Sequence, residues 1–158
     1  MDLNQDFRDL LAALEKSRAK YLLVGGYAVA VHAKPRYTKD IDIWIDEASE
    51  NVKRVCEALR EFGAPGQAIT DLETSGPDEI VWFGAPPVRV DILKRISGLH
   101  FDPAYSRRAV IELGEIRAFV ISREDLIVAK QAAGRPQDLV DADVLSQAAP
   151  AAEERKGE

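Results

Sequence analysis

The chain has 158 residues and a net charge of −6, which gives it room for one domain with its own hydrophobic core. Hydrophobic residues make up 46% and charged residues 30% of the sequence, a composition typical of soluble globular proteins rather than disordered ones. No apolar run approaches the ~20 residues that a membrane span requires, the first residues lack a signal-peptide pattern, and the single cysteine, Cys56, excludes a disulfide framework. We therefore expect a cytoplasmic protein with no membrane partner, which does not coat nucleic acid through bulk charge.

The first part of the chain predicts two helices with a buried strand between them. Apolar residues recur at helical spacing over residues 3–17, and Tyr21–Val24 is a continuous apolar run that ends at Gly25-Gly26. A short helix over Tyr27–His32 follows, with His32 on its surface. The two glycines therefore mark a tight strand-to-helix turn.

The stretch from Asp40 to Asp46 alternates apolar and polar residues, which predicts a strand. Its isoleucines share one face, while Asp40, Asp42 and Trp44 share the other. Packing explains the isoleucines, and Trp44 stacks on a base or, as we favour, covers a neighbouring helix. The aspartates have no such explanation, unless they are ordinary exposed side chains.

The rest of the chain predicts further strands and helices of one α/β (α+β) domain. They are a helix over 49–62 with Ser49 as its N-cap, a loop with a short helix over 63–77, strands at Glu79–Phe83 and Val88–Leu93, a hairpin of Ala109–Leu113 and Ile116–Ile121, a helix capped by Ser122, and a last helix over 137–147. We expect residues 1–146 to form a single domain and residues 147–158 to be a disordered tail.

Three aspartates form a candidate metal site. Asp40 and Asp42, two residues apart on a strand, have α-carbons roughly 6.5–7 Å apart, close enough to share one divalent ion or a pair of ions. Asp91 alternates in the same way on a later strand and would complete the site. Oxygen-only ligands favour Mg²⁺, which takes the rest of its ligands from water and substrate phosphates. Asp91 has an alternative partner in Arg89, two residues away.

An anion site next to the metal is predicted at Gly25-Gly26. Glycines allow close approach to the backbone, and the start of the following helix offers unpaired amide groups to a phosphate. If the aspartates are inert, the glycines form only a tight turn. Together, the glycines and the aspartates predict a site for a nucleoside triphosphate.

The order of these motifs resembles the nucleotidyltransferase superfamily typified by DNA polymerase beta. The segment "VGGYAVAVHAKPRYTKDIDIWID", followed by "VRVDIL", is similar to the small bacterial branch of minimal nucleotidyltransferases and abortive-infection toxins. The C-terminal "ISREDLIVAKQAAGRPQDLVDADVL" is similar to the closing segment of that branch. The resemblance covers about residues 20 to 146 and implies a mixed sheet with helices mainly on one side.

The resemblance also implies an activity and a role for each matching residue. A magnesium-dependent enzyme would move a nucleoside monophosphate from a triphosphate to an acceptor hydroxyl or phosphate, with release of pyrophosphate. Two magnesium ions would be bound by Asp40, Asp42 and Asp91, with Asp91 as general base. The residues that would contact or orient the triphosphate are Gly25, Gly26, Arg36, Thr38 and Lys130, with Arg135 and Asp138 as weaker assignments.

Simpler structural roles stay open beside these assignments. Lys130 is a solvated lysine if the resemblance does not extend to it, and Arg135 pairs with Asp138 if its role is structural. Arg36 and Thr38 are then only a solvated cation and the start of a strand.

The acceptor is a transfer RNA end, a partner protein or a small molecule, and a second copy of the chain or a partner would supply part of the site. A toxin–antitoxin or phage-defence role is consistent with the branch. The alternatives are a degenerate member that binds a nucleotide or a partner without turnover, and a purely structural interaction module.

Overall fold

The computed structural model describes residues 3–33, 38, 40–148 and 155–156 of the chain. The helices are α1 Gln5–Lys16, α2 Gly25–His32, α3 Ser49–Phe62, α4 Gly66–Thr74, α5 Phe101–Ser106, α6 Arg123–Ala133 and α7 Pro136–Gln147. The strands are β1 Tyr21–Val24, β2 Asp40–Ile45, β3 Val81–Phe83, β4 Arg89–Leu93, β5 Ala109–Leu113, β6 Ile116–Val120 and β7 Arg155–Lys156.

The strands form one mixed sheet in the order β3-β4-β2-β1-β6-β5-β7. β2 is antiparallel to β1 and parallel to β4, and the β3–β4 and β5–β6 pairs are antiparallel. The parallel β2–β4 pair requires a crossover, which α3 and α4 provide. The predicted mixed α/β fold is therefore confirmed.

The core lies between the sheet and the helices that cover it. Alternation on β2 buries Ile41, Ile43 and Ile45 completely, and α1 contributes Phe7 and its leucines to the same core. Each such side chain stabilises the fold by about 1.5–3 kcal/mol relative to leaving it in water. The apolar face of β2 thus fixes which way its polar face points.

Trp44 is buried and covers the start of a helix, as the sequence favoured. Its ring meets that of Phe101, the first residue of α5, edge to face with centroids 5.1 Å apart. Its indole nitrogen donates to the carbonyl oxygen of Lys94 at 3.2 Å. α5 itself has only six residues, and the sequence did not predict it.

Two local predictions were wrong. His32 is buried rather than on a helix surface, and its Nε2 lies 2.6 Å from the carbonyl oxygen of Ile121. The reason is that α2 has almost no polar residues, so it is buried against the sheet on several sides. Ser49 is the first residue of α3, and Ala48 is its N-cap, with the Ala48 amide donating to the side chain of Asp46.

The sequence also predicted a C-terminal tail over residues 147–158 and no membrane-spanning segment. α7 ends at Gln147, and the described residues 155–156 pair with β5, while the rest of the predicted tail lies outside the described residues. No helix in the described part of the chain has the length and apolarity needed to cross a membrane.

Candidate active site

Four residues form a row across the sheet, one from each of four neighbouring strands. Val24 on β1 is in register with Asp42 on β2, Asp42 with Asp91 on β4, and Asp91 with Trp82 on β3. Residues in register on adjacent strands project from the same face of a sheet and are spaced about 4.8 Å apart. The row therefore spans about 14 Å, with two carboxylates in its middle.

The two central carboxylates lie against each other. Asp42 shares a hydrogen bond with Asp91, and Asp91 is buried, with a side chain that is 12% exposed. Burial first, and then the negative charges of Asp91 and Asp40, raise the pKa of Asp42 to about 6, while Lys130 acts in the opposite direction. This part of the sheet therefore carries more negative charge than its surroundings neutralise.

Gly25 is packed directly against Asp42. It has a φ of +69°, and a Cβ atom at this position would collide with the carboxylate of Asp42. Only glycine meets both requirements, because a side chain would be strained by the backbone conformation and blocked by its neighbour. α2 begins here with no side-chain cap from Val24, so its first amide groups are available at the edge of the row.

Arg89 links the carboxylates to the exposed end of the row. Its guanidinium donates to Asp91 Oδ1 through two nitrogens, at 3.2 and 3.1 Å, and lies 4.4 Å from the centre of the Trp82 ring. Arg89 is also in register with Asp40 on β2. The sequence offered Arg89 as an alternative partner of Asp91, and the structure shows this pairing.

A second cluster of charges joins α6 to α7. Lys130, with a side chain 14% exposed, lies 3.0 Å from Asp141 and 3.5 Å from Asp138. The guanidinium of Arg135 donates to Asp138 at 2.6 Å, and the backbone amide of Arg135 donates to the same carboxylate. This hydrogen bonding from Arg135 is the main reason that the pKa of Asp138 lies below its usual range.

The row and the second cluster line one cavity of about 790 Å³. Of the residues predicted for the site, it brings together Gly25, Gly26, Asp42, Asp91, Lys130, Arg135 and Asp138. Asp40 and Thr38 are partly buried and are not among the lining residues, although the charge of Asp40 acts on Asp42. Arg36 lies outside the described residues.

The residues fit a hard divalent cation in part. Asp42 and Asp91 are oxygen donors that repel each other, and a cation between them would relieve that repulsion. Within the described residues, no group of three or more histidine, cysteine, aspartate or glutamate side chains is arranged to hold a metal ion. Arg89 in addition occupies one carboxylate oxygen of Asp91, Oδ1, through two nitrogens.

Trp82 and Arg89 are among the lining residues that were not predicted as parts of the site. Trp82 is 56% exposed at the end of the row, and Arg89 contacts both its ring and Asp91. The signal was present in the alternation of the two strands, since Arg89 and Asp91 share a face. What the sequence lacked was the β3–β4 register, which places Trp82 opposite Asp91.

Comparison with known proteins gives a matching family and several similar solved structures. The sequence of residues 1–149 matches a family described as nucleotidyltransferases of unknown function. No curated protein sequence matches the chain significantly.

Two solved structures share the fold. TM1012 from Thermotoga maritima, provisionally assigned as a nucleotidyltransferase, is similar with a TM-score of 0.57 and 17% identity over 90% of this chain and 89% of that one. The lincosamide antibiotic adenylyltransferase LnuA, solved with lincomycin bound, is similar with a TM-score of 0.55 and 18% identity over 92% of this chain and 97% of that one.

The family match spans nearly the whole chain, from residue 1 to residue 149. The chain therefore belongs to this nucleotidyltransferase family.

Proposed function

We propose that this nucleotidyltransferase-family chain transfers a nucleoside monophosphate from a triphosphate to an acceptor hydroxyl or phosphate, with Mg²⁺ as its cofactor and pyrophosphate as the second product. The observation that carries the proposal is the pairing of Asp42 with Asp91, beside Gly25 in one cavity. Packing alone does not explain two in-register carboxylates at a place where burial first, and then the charges of Asp91 and Asp40, raise the pKa of Asp42.

The end of the row at Val24, where Gly25 follows, is suited to bind the phosphates of the donor. The start of α2 has no side-chain cap, so its first amide groups would be available to an anion, and Gly25 brings this start directly against the Asp42 carboxylate. Lys130 lines the same cavity and acts electrostatically on Asp42, which supports a role for its positive charge in binding the triphosphate. These residues would bind and orient the donor.

The carboxylates would bind the metal ion, and one of them would accept a proton during the transfer. Asp42 and Asp91 would hold the cation, with Asp40 adding negative charge from the neighbouring position on β2. Bound Mg²⁺ neutralises the charge that develops on the transferred and leaving phosphates. Asp91 lies further from the glycines than Asp42 does, so it is the better placed to accept the proton of an incoming hydroxyl.

Arg135 and Lys130 would position the triphosphate and would not act as nucleophiles. Phosphoryl transfer needs little covalent participation from the protein, since alignment and charge neutralisation supply most of the rate enhancement. Arg135 is held by Asp138 at the cavity wall, and this pairing keeps its guanidinium next to the proposed donor site.

A second candidate function is nucleotide binding without turnover. The observation that favours it is that no three acidic, histidine or cysteine side chains of the described residues are arranged to hold a metal ion, while Arg89 already pairs with Asp91. In that case the cavity would bind a triphosphate at the glycines and would not transfer it.

Thermal shift measurements test the proposed donor site. Wild-type protein and the Asp40→Ala/Asp42→Ala variant are melted with each of the four common ribonucleoside triphosphates, in Mg²⁺ and in EDTA. We expect one or more triphosphates to raise the melting temperature of wild type only in Mg²⁺, and we expect the variant to lose this effect. Asp9→Ala/Asp143→Ala is the matched control, since both residues are exposed and the change in net charge is the same.

Turnover separates the two candidate functions. A triphosphate labelled at its α-phosphate is incubated with RNA, protein and small-molecule fractions of a cell extract, and transfer of label and release of pyrophosphate are followed. Transfer by wild type that is lost in Asp91→Asn supports the enzyme. A Mg²⁺-dependent thermal shift without any transfer supports the binding protein, and no thermal shift in wild type contradicts both.

A further inference from the structure

Two large apolar side chains are exposed on the wall of the cavity. Ile80 is 57% exposed and Trp82 is 56% exposed, and both line the cavity together with Asp91. Val81 and Phe83 of β3 are buried in the core. Because side chains alternate along a strand, Ile80 and Trp82 share the opposite face. An exposed isoleucine beside an exposed tryptophan in a cavity indicates a place where apolar surface of a ligand is bound.

The apolar surface continues on the neighbouring strand. Trp82 is in register with Asp91, and the same antiparallel register, continued by one residue beyond Val81, places Ile80 opposite Leu93. Leu93 also lines the cavity, and it shares a face of β4 with Asp91. The glycines proposed for the donor follow β1, which lies three strands away from β3 in the sheet. A group bound on this apolar surface therefore lies beside Asp91 and away from the glycines.

Arg89 holds the ring of Trp82 in place. Its guanidinium lies 4.4 Å from the ring centre and is paired through two nitrogens with Asp91. A tryptophan that is already fixed loses little conformational entropy when a ligand binds to it. Its flat surface favours a second planar ring, which stacks on it in an offset arrangement.

The charges at this wall favour an uncharged ligand. Arg89 pairs with Asp91, and Arg95, two residues beyond β4, donates through two nitrogens to both carboxylate oxygens of Glu47 at 2.9 Å. A phosphate or a nucleic acid backbone would have to compete with these carboxylates, whereas an uncharged group leaves both pairs intact. The cavity volume of about 790 Å³ lies within the range of small-molecule pockets, roughly 300–1,000 Å³.

We propose that Ile80, Leu93 and Trp82 form the acceptor subsite, and that the acceptor is an uncharged small molecule with a hydroxyl group next to an apolar ring. The ring would lie on Trp82 and place the hydroxyl at Asp91. The hydroxyl oxygen would bond to the α-phosphorus of the donor, pyrophosphate would leave, and Asp91 would take the proton. This inference rests on the proposed function, because only a transferase needs a second substrate beside Asp91.

Binding is measured by NMR on ¹⁵N-labelled protein, with naphthylmethanol as the uncharged probe. The chain has two tryptophans, and the indole N–H signal that disappears in Trp82→Phe belongs to Trp82. Naphthylmethanol should shift this signal in wild type. The signal of Trp44 should stay in place, because Trp44 is buried and donates to the carbonyl oxygen of Lys94. Absence of a shift at Trp82 overturns the inference.

Ile80→Ser tests the apolar wall without disturbing the core, since Ile80 is exposed and precedes β3. The variant should bind naphthylmethanol about fivefold more weakly than wild type, because part of the apolar contact is lost. Leu139→Ser is the matched control, since Leu139 is 52% exposed on α7 and is not among the lining residues. Its affinity should stay within about twofold of wild type. Equal affinities in the two variants overturn the subsite.

Two further probes test the preference for an uncharged small molecule. Naphthoate has the same ring with a negative charge, and it should bind about fivefold more weakly than naphthylmethanol, because the carboxylates of Asp42 and Asp91 line the same cavity. The RNA trinucleotide cytidylyl-cytidylyl-adenosine should leave the Trp82 signal unchanged. Equal or tighter binding of naphthoate, or a shift of the Trp82 signal by the trinucleotide, overturns the proposed class of acceptor.

The donor shows whether the subsite belongs to the acceptor. A non-hydrolysable triphosphate in Mg²⁺ should bind together with naphthylmethanol, and displacement of naphthylmethanol would assign Trp82 to the donor and overturn the inference. A Trp82 signal that changes with protein concentration instead of with naphthylmethanol would show that a second copy of the chain covers this wall, which overturns it as well.

The thermal shift measurement tests the proposed function separately. A Mg²⁺-dependent shift with triphosphate, without binding of naphthylmethanol at Trp82, overturns only the acceptor subsite. Binding of naphthylmethanol without any thermal shift contradicts the proposed function, and with it the assignment of the subsite to an acceptor.

Discussion

The two charged clusters that line the cavity differ in how well their charges are balanced. On the sheet, Asp42 lies against Asp91 and near Asp40, and its pKa is raised to about 6. Between α6 and α7, Asp138 is bound by Arg135 and Lys130, and its pKa is lowered. The opposite directions reflect opposite surroundings: Asp138 is paired with cations, whereas burial first, and then the charges of Asp91 and Asp40, disfavour the ionised form of Asp42.

The largest effect should come from the balanced cluster. Asp138→Ala removes the partner of Arg135 and one of the partners of Lys130, together with the hydrogen bond from the backbone amide of Arg135, the N-cap of α7. We expect a loss of about 3 kcal/mol in the free energy of unfolding, because Asp138 is buried and its removal leaves a mostly buried cation with less compensation. Urea denaturation at neutral pH measures it. A loss under about 1 kcal/mol would contradict the structural role of this cluster.

The same kind of change on the sheet should have the opposite sign. Asp42→Asn removes a negative charge that is partly buried beside two others, so the metal-free variant should be more stable than wild type by about 2 kcal/mol at pH 8. Urea denaturation in EDTA is the measurement, and Mg²⁺ should reduce or reverse the difference. A variant less stable than wild type in EDTA would show that the sheet cluster is already neutralised.

The difference between Asp42→Asn and wild type should depend on pH in a defined way. A carboxyl group with a higher pKa in the folded state binds its proton more tightly when folded, so its contribution to stability is fully present below the unfolded pKa of about 3.9. That contribution is lost as pH rises through about 6. Wild type and Asp42→Asn should therefore be equally stable near pH 3.5. Their free energies of unfolding should diverge between about pH 4 and 6 and differ by a constant amount above pH 7. If the difference in stability began only above pH 7, its cause would be the titration of a group other than Asp42.

The smallest effect on stability, with a large one on the site, is expected at Gly25. Gly25→Ala strains the backbone and pushes the Asp42 carboxylate aside, while Gly63→Ala, at φ +92° with open space around it, has only the strain. Gly63→Ala should lose about 1 kcal/mol of stability, and Gly25→Ala somewhat more, because Asp42 must also shift. Only Gly25→Ala should also lose the Mg²⁺-dependent thermal shift with triphosphate. Retention of the shift would exclude close contact of the glycine turn with the donor.

Periodicity and turn residues were enough to predict most of the elements. The alternation of β2 separates three isoleucines from Asp40 and Asp42 because the side-chain period of a strand is two, and Ser122 caps α6 by accepting from the Asp125 amide. Asp91 could be predicted to face the cavity only from its own alternation. Its position opposite Asp42 depends on the β2–β4 pairing, which no local pattern contains.

Properties that depend on tertiary contacts were the ones that sequence reasoning missed. His32 was predicted at a surface because it ends a short helix, but the packing of α2 buries it. Lys130 could be predicted as a phosphate contact only from the family resemblance, and its pairing with Asp138 and Asp141 depends on the angle between α6 and α7. α5 was missed because six residues carry little helical periodicity.

The in-register placement of Asp42 and Asp91 also has a consequence for how the chain folds. The two residues are brought together only when β2 pairs with β4, after the chain has crossed over through α3 and α4. Long-range parallel pairing of this kind is slow, and here it must bring two like charges side by side. Protonation of Asp42, whose pKa rises towards about 6 only as folding buries it beside Asp91 and Asp40, would relieve that repulsion, and a bound divalent ion would do the same. The carboxylates proposed to catalyse the reaction thus also impose an electrostatic barrier on the assembly of the sheet. The Mg²⁺ cofactor that would serve the reaction would lower this barrier.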